Sequence, residues 1–394
     1  MAKTDAWWNV NQSVTVDWLR FPMVFCVLFI HIGPDTMCFL DADYLFFSAQ
    51  GLCNAVFITL SQVVSRVAVP FFFFTSGFFF FSNLQVWSWK GYALKIRKRI
   101  RTLAVPYLSW NLLAFCIPLI KKVLGTLIHS KSWNSVILYL QTWNWRMLID
   151  SRVFDRTRVN ILGLANYGTA PIVLPLWFLR DLMIVSLLSP IIYWMVKNNR
   201  HWGIALLFVF FVTRIWILLP GFSISAIFFF SLGAYLSVNG LNIARVARKW
   251  AYLSIPLSIL LFVPCLIYDG FQTITGDNLM PFYIISTLFS FIAIASVCVE
   301  RYCLTPNKFL THSSFFVYAA HTVSIFIWWT PMQLAKKVLQ LMLPENGALA
   351  SLINYLLIPF ITLALCLFAY FVLVRCFPRV ASVLCGGRSQ FRSK

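Results

Sequence analysis

"VDWLRFPMVFCVLFIHIGP", residues 16–34, is apolar enough to cross a membrane as a helix, yet it carries an aspartate, an arginine and a histidine. About 20 predominantly apolar residues cover the roughly 30 Å of a hydrocarbon core at 1.5 Å per residue. Comparable windows recur along the 394-residue chain, which is 60% hydrophobic and 11% charged, whereas a soluble domain carries about 25% charged residues. The pattern predicts an all-α polytopic membrane protein. Its expected bundle has about ten transmembrane helices, near 16–33, 63–82, 102–120, 174–196, 202–220, 222–239, 250–268, 281–299, 314–331 and 351–377. Residues 46–65 and 130–173 are of mixed polarity and are expected to form interfacial helix or loop.

The first fifteen residues are polar and the first apolar run lacks a small-residue cleavage site, so no cleavable leader is expected. Basic residues set the orientation. Lys90, Lys95, Arg97, Lys98, Arg99, Arg101, Lys197, Arg200, Arg245, Arg248, Lys249, Arg301 and Lys308 share one side with the tail "RSQFRSK", while Asp35, Asp41, Asp43, Asp269 and Asp277 fall on the other. The positive-inside rule then puts both termini in the cytoplasm. The stretch from Lys121 to about residue 173 is basic against this scheme but long enough to weaken the rule. One membrane domain over 1–394 is expected, with spans from about 16 to 377 and a basic cytoplasmic tail at 378–394.

The net charge of +20 is accounted for by topology and by contact with anionic membrane lipid, so a nucleic-acid partner is not expected. Ten cysteines include no C-x-x-C pair. Most lie in spans, where a thiol packs as a small hydrophobe, so neither a disulfide framework nor a metal site is expected.

Within the first span, Arg20 and His31 are about 20° apart in helical projection, and Asp17 is about 40° from His31. All three share a face that must avoid lipid. Ionisable groups in spans cost about 2.5–3.5 kcal/mol each on insertion scales, and a line of them marks function. An Asp17–Arg20 pair anchoring the helix end, with a hydrogen-bonded His31, is the structural alternative. "LPLWFLRDLM" puts Arg180 and Asp181 inside another span, and "SSFFVYAAHT" puts Ser314, Tyr318 and His321 on one face. Arg97, Arg99 and Arg101, in "YALKIRKRIRTLAVPYLSW" (92–110), serve either as a topology signal or as multidentate donors to phosphate.

The arginine–ten residues–histidine spacing of "RFPMVFCVLFIH" resembles the first-helix signature of the acyltransferase 3 family of membrane acyltransferases. "VAVPFFFFTSGFFFF", the basic run into "VPYLSW", "LWFLRDL" and "SSFFVYAAHT" follow in similar order. The resemblance covers roughly residues 14–330. It implies transfer of an acyl group, commonly acetyl from acetyl-CoA, to a hydroxyl of a cell-surface sugar or glycolipid, by an integral multi-pass protein of a bacterial inner (plasma) membrane. It makes Arg20 and His31 the counterparts of an essential pair, and Arg99 and Arg101 those of a basic motif. His321 and Arg180 fall in similar segments. Pro22 and Thr322 depart from the family pattern without removing a reactive group.

Acyl transfer to an alcohol needs a base, for which His31 is the candidate. Asp17 is expected to orient Arg20. Arg97, Arg99 and Arg101 are expected to hold acyl-coenzyme A at the cytoplasmic mouth, and Arg180, Asp181, Tyr318 and His321 to line the acceptor side. "GDN" at 276–278 is not a G-D-S nucleophile motif, so the domain is expected to complete transfer itself or to hand acyl groups to a glycan-assembly partner. A proton-coupled transporter would also line a cavity with such groups, but no matched pair of broken helices in two halves is evident.

Overall fold

The computed structural model describes residues 5–31, 49–82, 87–129, 132–159, 165–198, 200–270, 274–342 and 347–388. Asp35, Asp41, Asp43 and the tail from 389 onward, all used above for topology, lie outside the described residues.

The opening stretch lies in α1 (Asp5–His31), which starts well before the expected span and carries Pro22 in its interior. A span tolerates such a proline because neighbouring groups satisfy the freed carbonyl. The mixed polarity of residues 46–65 predicts interfacial helix or loop. Instead α2 (Ala49–Phe57), a π-helical turn (Ile58–Val63), a 3-10 turn (Val64–Val67) and α3 (Ala68–Phe81) follow one another without a loop. The basic run is helical too. α4 (Trp89–Arg99) starts at Ser88, whose hydroxyl accepts the Gly91 N–H, and continues through a π-helical turn at Ile100–Ala104 into α5 (Val105–Ile128).

The mixed stretch that follows contains α6 (Asn134–Gln141), α7 (Met147–Asp150) and an antiparallel hairpin of β1 (Arg152–Val159) and β2 (Ala165–Ala170). This hairpin is the departure from an all-helical chain. Its "RVFDRTRV" is too charged for hydrocarbon and rich enough in β-branched residues for a strand.

Next come α8 (Trp177–Leu187), α9 (Ser189–Asn198), α10 (Arg200–Thr213), α11 (Ile224–Val238) and α12 (Ile243–Lys249). The chain continues with α13 (Ala251–Gly270), α14 (Ile274–Arg301), α15 (Lys308–Met342), α16 (Gly347–Cys376) and α17 (Pro378–Leu384).

Among the described residues, five helical stretches are long and apolar enough to cross a membrane, and up to seven if the pairs bent by 59° (α8 with α9) and 103° (α11 with α12) each count once. Ten were expected. Two expected spans coincide with shorter apolar helices, His201–Thr213 and Ala251–Ile267. Hydropathy runs on through "RIWILLPG", but helix α10 stops at Thr213, followed by Arg214 at φ 56° and Gly221 at φ 88°.

With hydrocarbon outside, helix association depends on close approach through small residues. At the α3–α11 crossing a Cβ on Gly77 would sit 2.0 Å from the Phe230 carbonyl oxygen, and one on Gly233 would sit 2.0 Å from that of Phe74. The two backbones touch through reciprocal glycines. α1 runs through the middle of the bundle, packed against α14, α15, α3 and α12. Ile259, Leu260 and Phe368 stand about two-thirds exposed, an apolar exterior that a membrane would cover.

Candidate active site

The polar face of α1 meets different partners at its two ends. At one end Arg20 Nη1 and Asp17 Oδ1 form an ion pair of 2.7 Å, both side chains about 40% exposed. The expected pairing is present. Eleven residues on, roughly 16 Å along the axis, the His31 ring faces His321 of α15 with centroids 5.3 Å apart and planes tilted by 42°.

His321 is 1% exposed. Its Nδ1 lies 2.7 Å from the Tyr318 carbonyl oxygen and 3.2 Å from that of Val317. Carbonyls only accept, so Nδ1 carries the hydrogen, and in the neutral ring Nε2 keeps its lone pair. Tyr318, one turn earlier, donates its hydroxyl to the Pro175 carbonyl and packs edge-on to Phe178 at 5.8 Å. α15 thereby joins the histidine pair to the start of α8.

There Arg180 and Asp181 form a buried pair, with Nη2 2.9 Å from Oδ1. Arg180 Nε also donates to Asp181, Nη1 to the Ile149 carbonyl (2.6 Å) and Thr169 Oγ1 (3.1 Å), and Nη2 to the Thr169 carbonyl (3.0 Å). All five guanidinium hydrogens are used, and they tie α7 and β2 to α8. Asp181 and Arg180 also line a cavity of about 190 Å³, with Trp177, Arg214, Trp216 and Gly221 around it.

The three expected phosphate ligands separate. Arg99 turns inward, its Nη2 donating to Ser76 Oγ (2.9 Å) and the Ser76 carbonyl (3.3 Å), and its guanidinium lies 5.5 Å from the Phe80 ring centroid. Arg97 and Arg101 stand exposed. Alternate residues on a helix point about 200° apart, so the three cannot share a side.

A further arginine, not Arg97 or Arg101, comes within electrostatic reach of Arg99. Trp110 Nε1 donates to the Leu384 carbonyl (3.0 Å), and the chain then turns through Gly386 (φ 60°) and Gly387 (φ 76°). Arg388 follows with its guanidinium 4.4 Å from the Phe315 ring centroid, within range of the charges of both Arg20 and Arg99. Burial, followed by the repulsion of Arg20, pushes the Arg388 guanidinium down to about 10. The "GGR" that precedes the tail is a turn signal, but nothing local shows where the turn leads. Among the described residues no group of three or more His, Cys, Asp or Glu could hold a metal ion.

The acyltransferase 3 family model, described as an acyltransferase domain, matches residues 14–374. Over 250 residues the chain is 24% identical to the succinoglycan biosynthesis protein ExoH of Rhizobium meliloti (strain 1021), a stretch covering 61% of this chain and 58% of that relative. No solved structure matches. With the motifs of α1, α4, α8 and α15 inside a match that takes in most of its length, the chain belongs to the acyltransferase 3 family.

Proposed function

We propose that this protein is a membrane-embedded O-acyltransferase that moves an acyl group, acetyl in the simplest case, from acyl-coenzyme A to a hydroxyl of a cell-surface polysaccharide or glycolipid. The observation that carries the reading is the histidine pair at the C-terminal end of α1, held roughly 16 Å from the ion-paired Arg20 midway along the same helix. An extended pantetheine arm is of that length. Phosphates held by Arg99 and Arg20 would deliver the thioester to His31.

In the transfer, the acceptor hydroxyl oxygen attacks the thioester carbonyl carbon while His31 takes the hydroxyl proton. The carbon–sulfur bond breaks as the tetrahedral intermediate collapses, and the proton passes to the departing thiolate, so that ester and coenzyme A thiol are the products. His321, fixed by two backbone carbonyls, orients the pair. The cavity beside Trp177, Arg180 and Asp181 takes the acceptor, with aromatic faces suited to a sugar ring. Family membership and the polysaccharide role in the name of the relative support this class of acceptor; a succinyl donor is the alternative to acetyl.

On this reading the bundle has about ten spans, α10, α13 and α15 included. Both termini face the cytoplasm of a bacterial plasma membrane, donor on the inside and acceptor on the outside, with no metal required and glycan-assembly proteins as partners. Mass spectrometry of surface glycans from cells with and without the protein tests it. Loss of an acetyl or succinyl mass is expected, and identical glycans would contradict it.

A further inference from the structure

Three arginines from distant parts of the chain come within electrostatic reach of one another near the end of the basic helix α4, and Asp17 is the carboxylate paired with Arg20. Arg20 has that partner and Arg99 has Ser76. Arg388 differs. Its Nη1 is buried with no hydrogen-bond partner among the described residues, and the ring of Phe315 lies against its guanidinium. A cation with a buried donor left unmet is costly unless something brings an acceptor to it.

The placement of Arg388 is built by the chain and is not a chance of a loose end. A Cβ on Gly386 would meet the Thr102 carbonyl oxygen at 2.5 Å, so the turn presses directly on the π-helical segment that follows Arg99. At φ 60° only glycine takes this conformation without strain. Trp110 anchors the stretch just before it, and α17 packs on α5. The docked turn brings Arg388 over the Phe315 ring and within electrostatic reach of Arg99 and Arg20.

We propose that Arg388 is a third anion ligand, forming with Arg20 and Arg99 a cradle for the pyrophosphate of the acyl donor. The segment after the last long helix is therefore part of a binding site and not simply a topology signal. The inference rests on the donor reading above for the identity of the anion. The planar fork of arginine, with an unmet donor, suits phosphate oxygens. An anionic lipid headgroup offers the same oxygens, and the test separates the two sources.

The full chain in phosphatidylcholine nanodiscs is titrated calorimetrically with coenzyme A and, separately, with inorganic pyrophosphate. Arg388→Ala is expected to weaken both by about 10- to 100-fold, the scale of a hydrogen bond to a charged group. Arg388→Lys, which keeps the charge but loses the fork, should fall between parent and alanine and provides the reading should the alanine variant fail to fold. Arg379→Ala, an equal loss of charge at an exposed position of α17, should match the parent.

Parental affinity in Arg388→Ala, or an equal loss in Arg379→Ala, would overturn the cradle. A parent that binds pyrophosphate but not coenzyme A would remove the donor reading and keep the anion site. A parent that binds neither, in discs with or without phosphatidylglycerol, would overturn the anion site. One that loses pyrophosphate binding only when phosphatidylglycerol is present would show that headgroups compete for the same arginines. Binding of phosphatidylglycerol without pyrophosphate would assign the cradle to lipid, against the proposal.

Discussion

The middle and the C-terminal end of α1 carry charge-bearing groups of opposite design. At the Asp17–Arg20 end the side chains are half-exposed and paired, the condition in which a cation can exchange its partner for an incoming phosphate at small cost. At the C-terminal end the His31 ring lies tilted against a buried His321 whose Nδ1 is committed to the backbone, the condition in which the His321 ring is held in one tautomer and one orientation. One helix thus separates holding from reacting, and a variant at each end should fail in a different way.

The largest effect is expected from His31→Ala. Positioned acid–base catalysis is worth about 10²- to 10⁴-fold, so transfer should fall by that factor in single-turnover assays while donor affinity stays parental. In the parent, transfer should decline on the acid side, because a protonated imidazole cannot accept the hydroxyl proton. A rate that rises as pH falls would assign the ring the part of an acid. Comparable losses of rate and donor affinity in His31→Ala would abolish the distinction between the ends.

Arg180 provides the next contrast. It is as buried as any arginine described, yet every donor it has is met within the protein. Arg180→Ala removes the cation paired with Asp181 and frees two carbonyls, for an expected cost of about 3–5 kcal/mol. The measurement is thermal unfolding in detergent, and the loss should be the same with and without coenzyme A. Stabilisation by coenzyme A that disappears in this variant would move Arg180 from scaffold to ligand site.

Arg99→Ala should weaken coenzyme A binding by about 10- to 100-fold, read by calorimetry, with little effect on transfer once donor saturates. Arg97→Ala and Arg101→Ala stand at the bottom of the scale. Exposed charges contribute about 0–1 kcal/mol, so each should change affinity by no more than a few-fold and should respond more strongly to salt than Arg99 does. A loss at Arg101 equal to that at Arg99 would mean that the helix turns on binding.

The sequence discloses the parts of this arrangement that depend on one helix at a time. Each expected apolar window contains helix, though not always one unbroken helix, because hydropathy reports what lipid demands of a local stretch. The shared face of Asp17, Arg20 and His31 follows from helical geometry alone. What depends on the partner is less visible. The 59° bend between α8 and α9, and the end of α10 at Thr213, interrupt helix where hydropathy continues. The hairpin at Arg152–Ala170 sits in a stretch whose polarity excluded a span but did not specify a strand.

The site divides in the same way. The basic run identified Arg99, but three alternating arginines hide which one faces inward. His321 is 290 positions from His31, and only the order of family motifs relates them in the sequence, whereas in the fold their rings are 5.3 Å apart. Arg388 reaches the cluster through a glycine turn against Thr102, a contact that no local pattern encodes.

The separation of holding from reacting is tested most directly by measuring donor dissociation constant and saturated single-turnover rate side by side in His31→Ala and Arg99→Ala. His31→Ala should keep the constant and lose the rate, and Arg99→Ala should lose the constant and keep the rate. Acylation at the parental rate by a correctly inserted His31→Ala protein would contradict the account and return the histidine pair to a structural role.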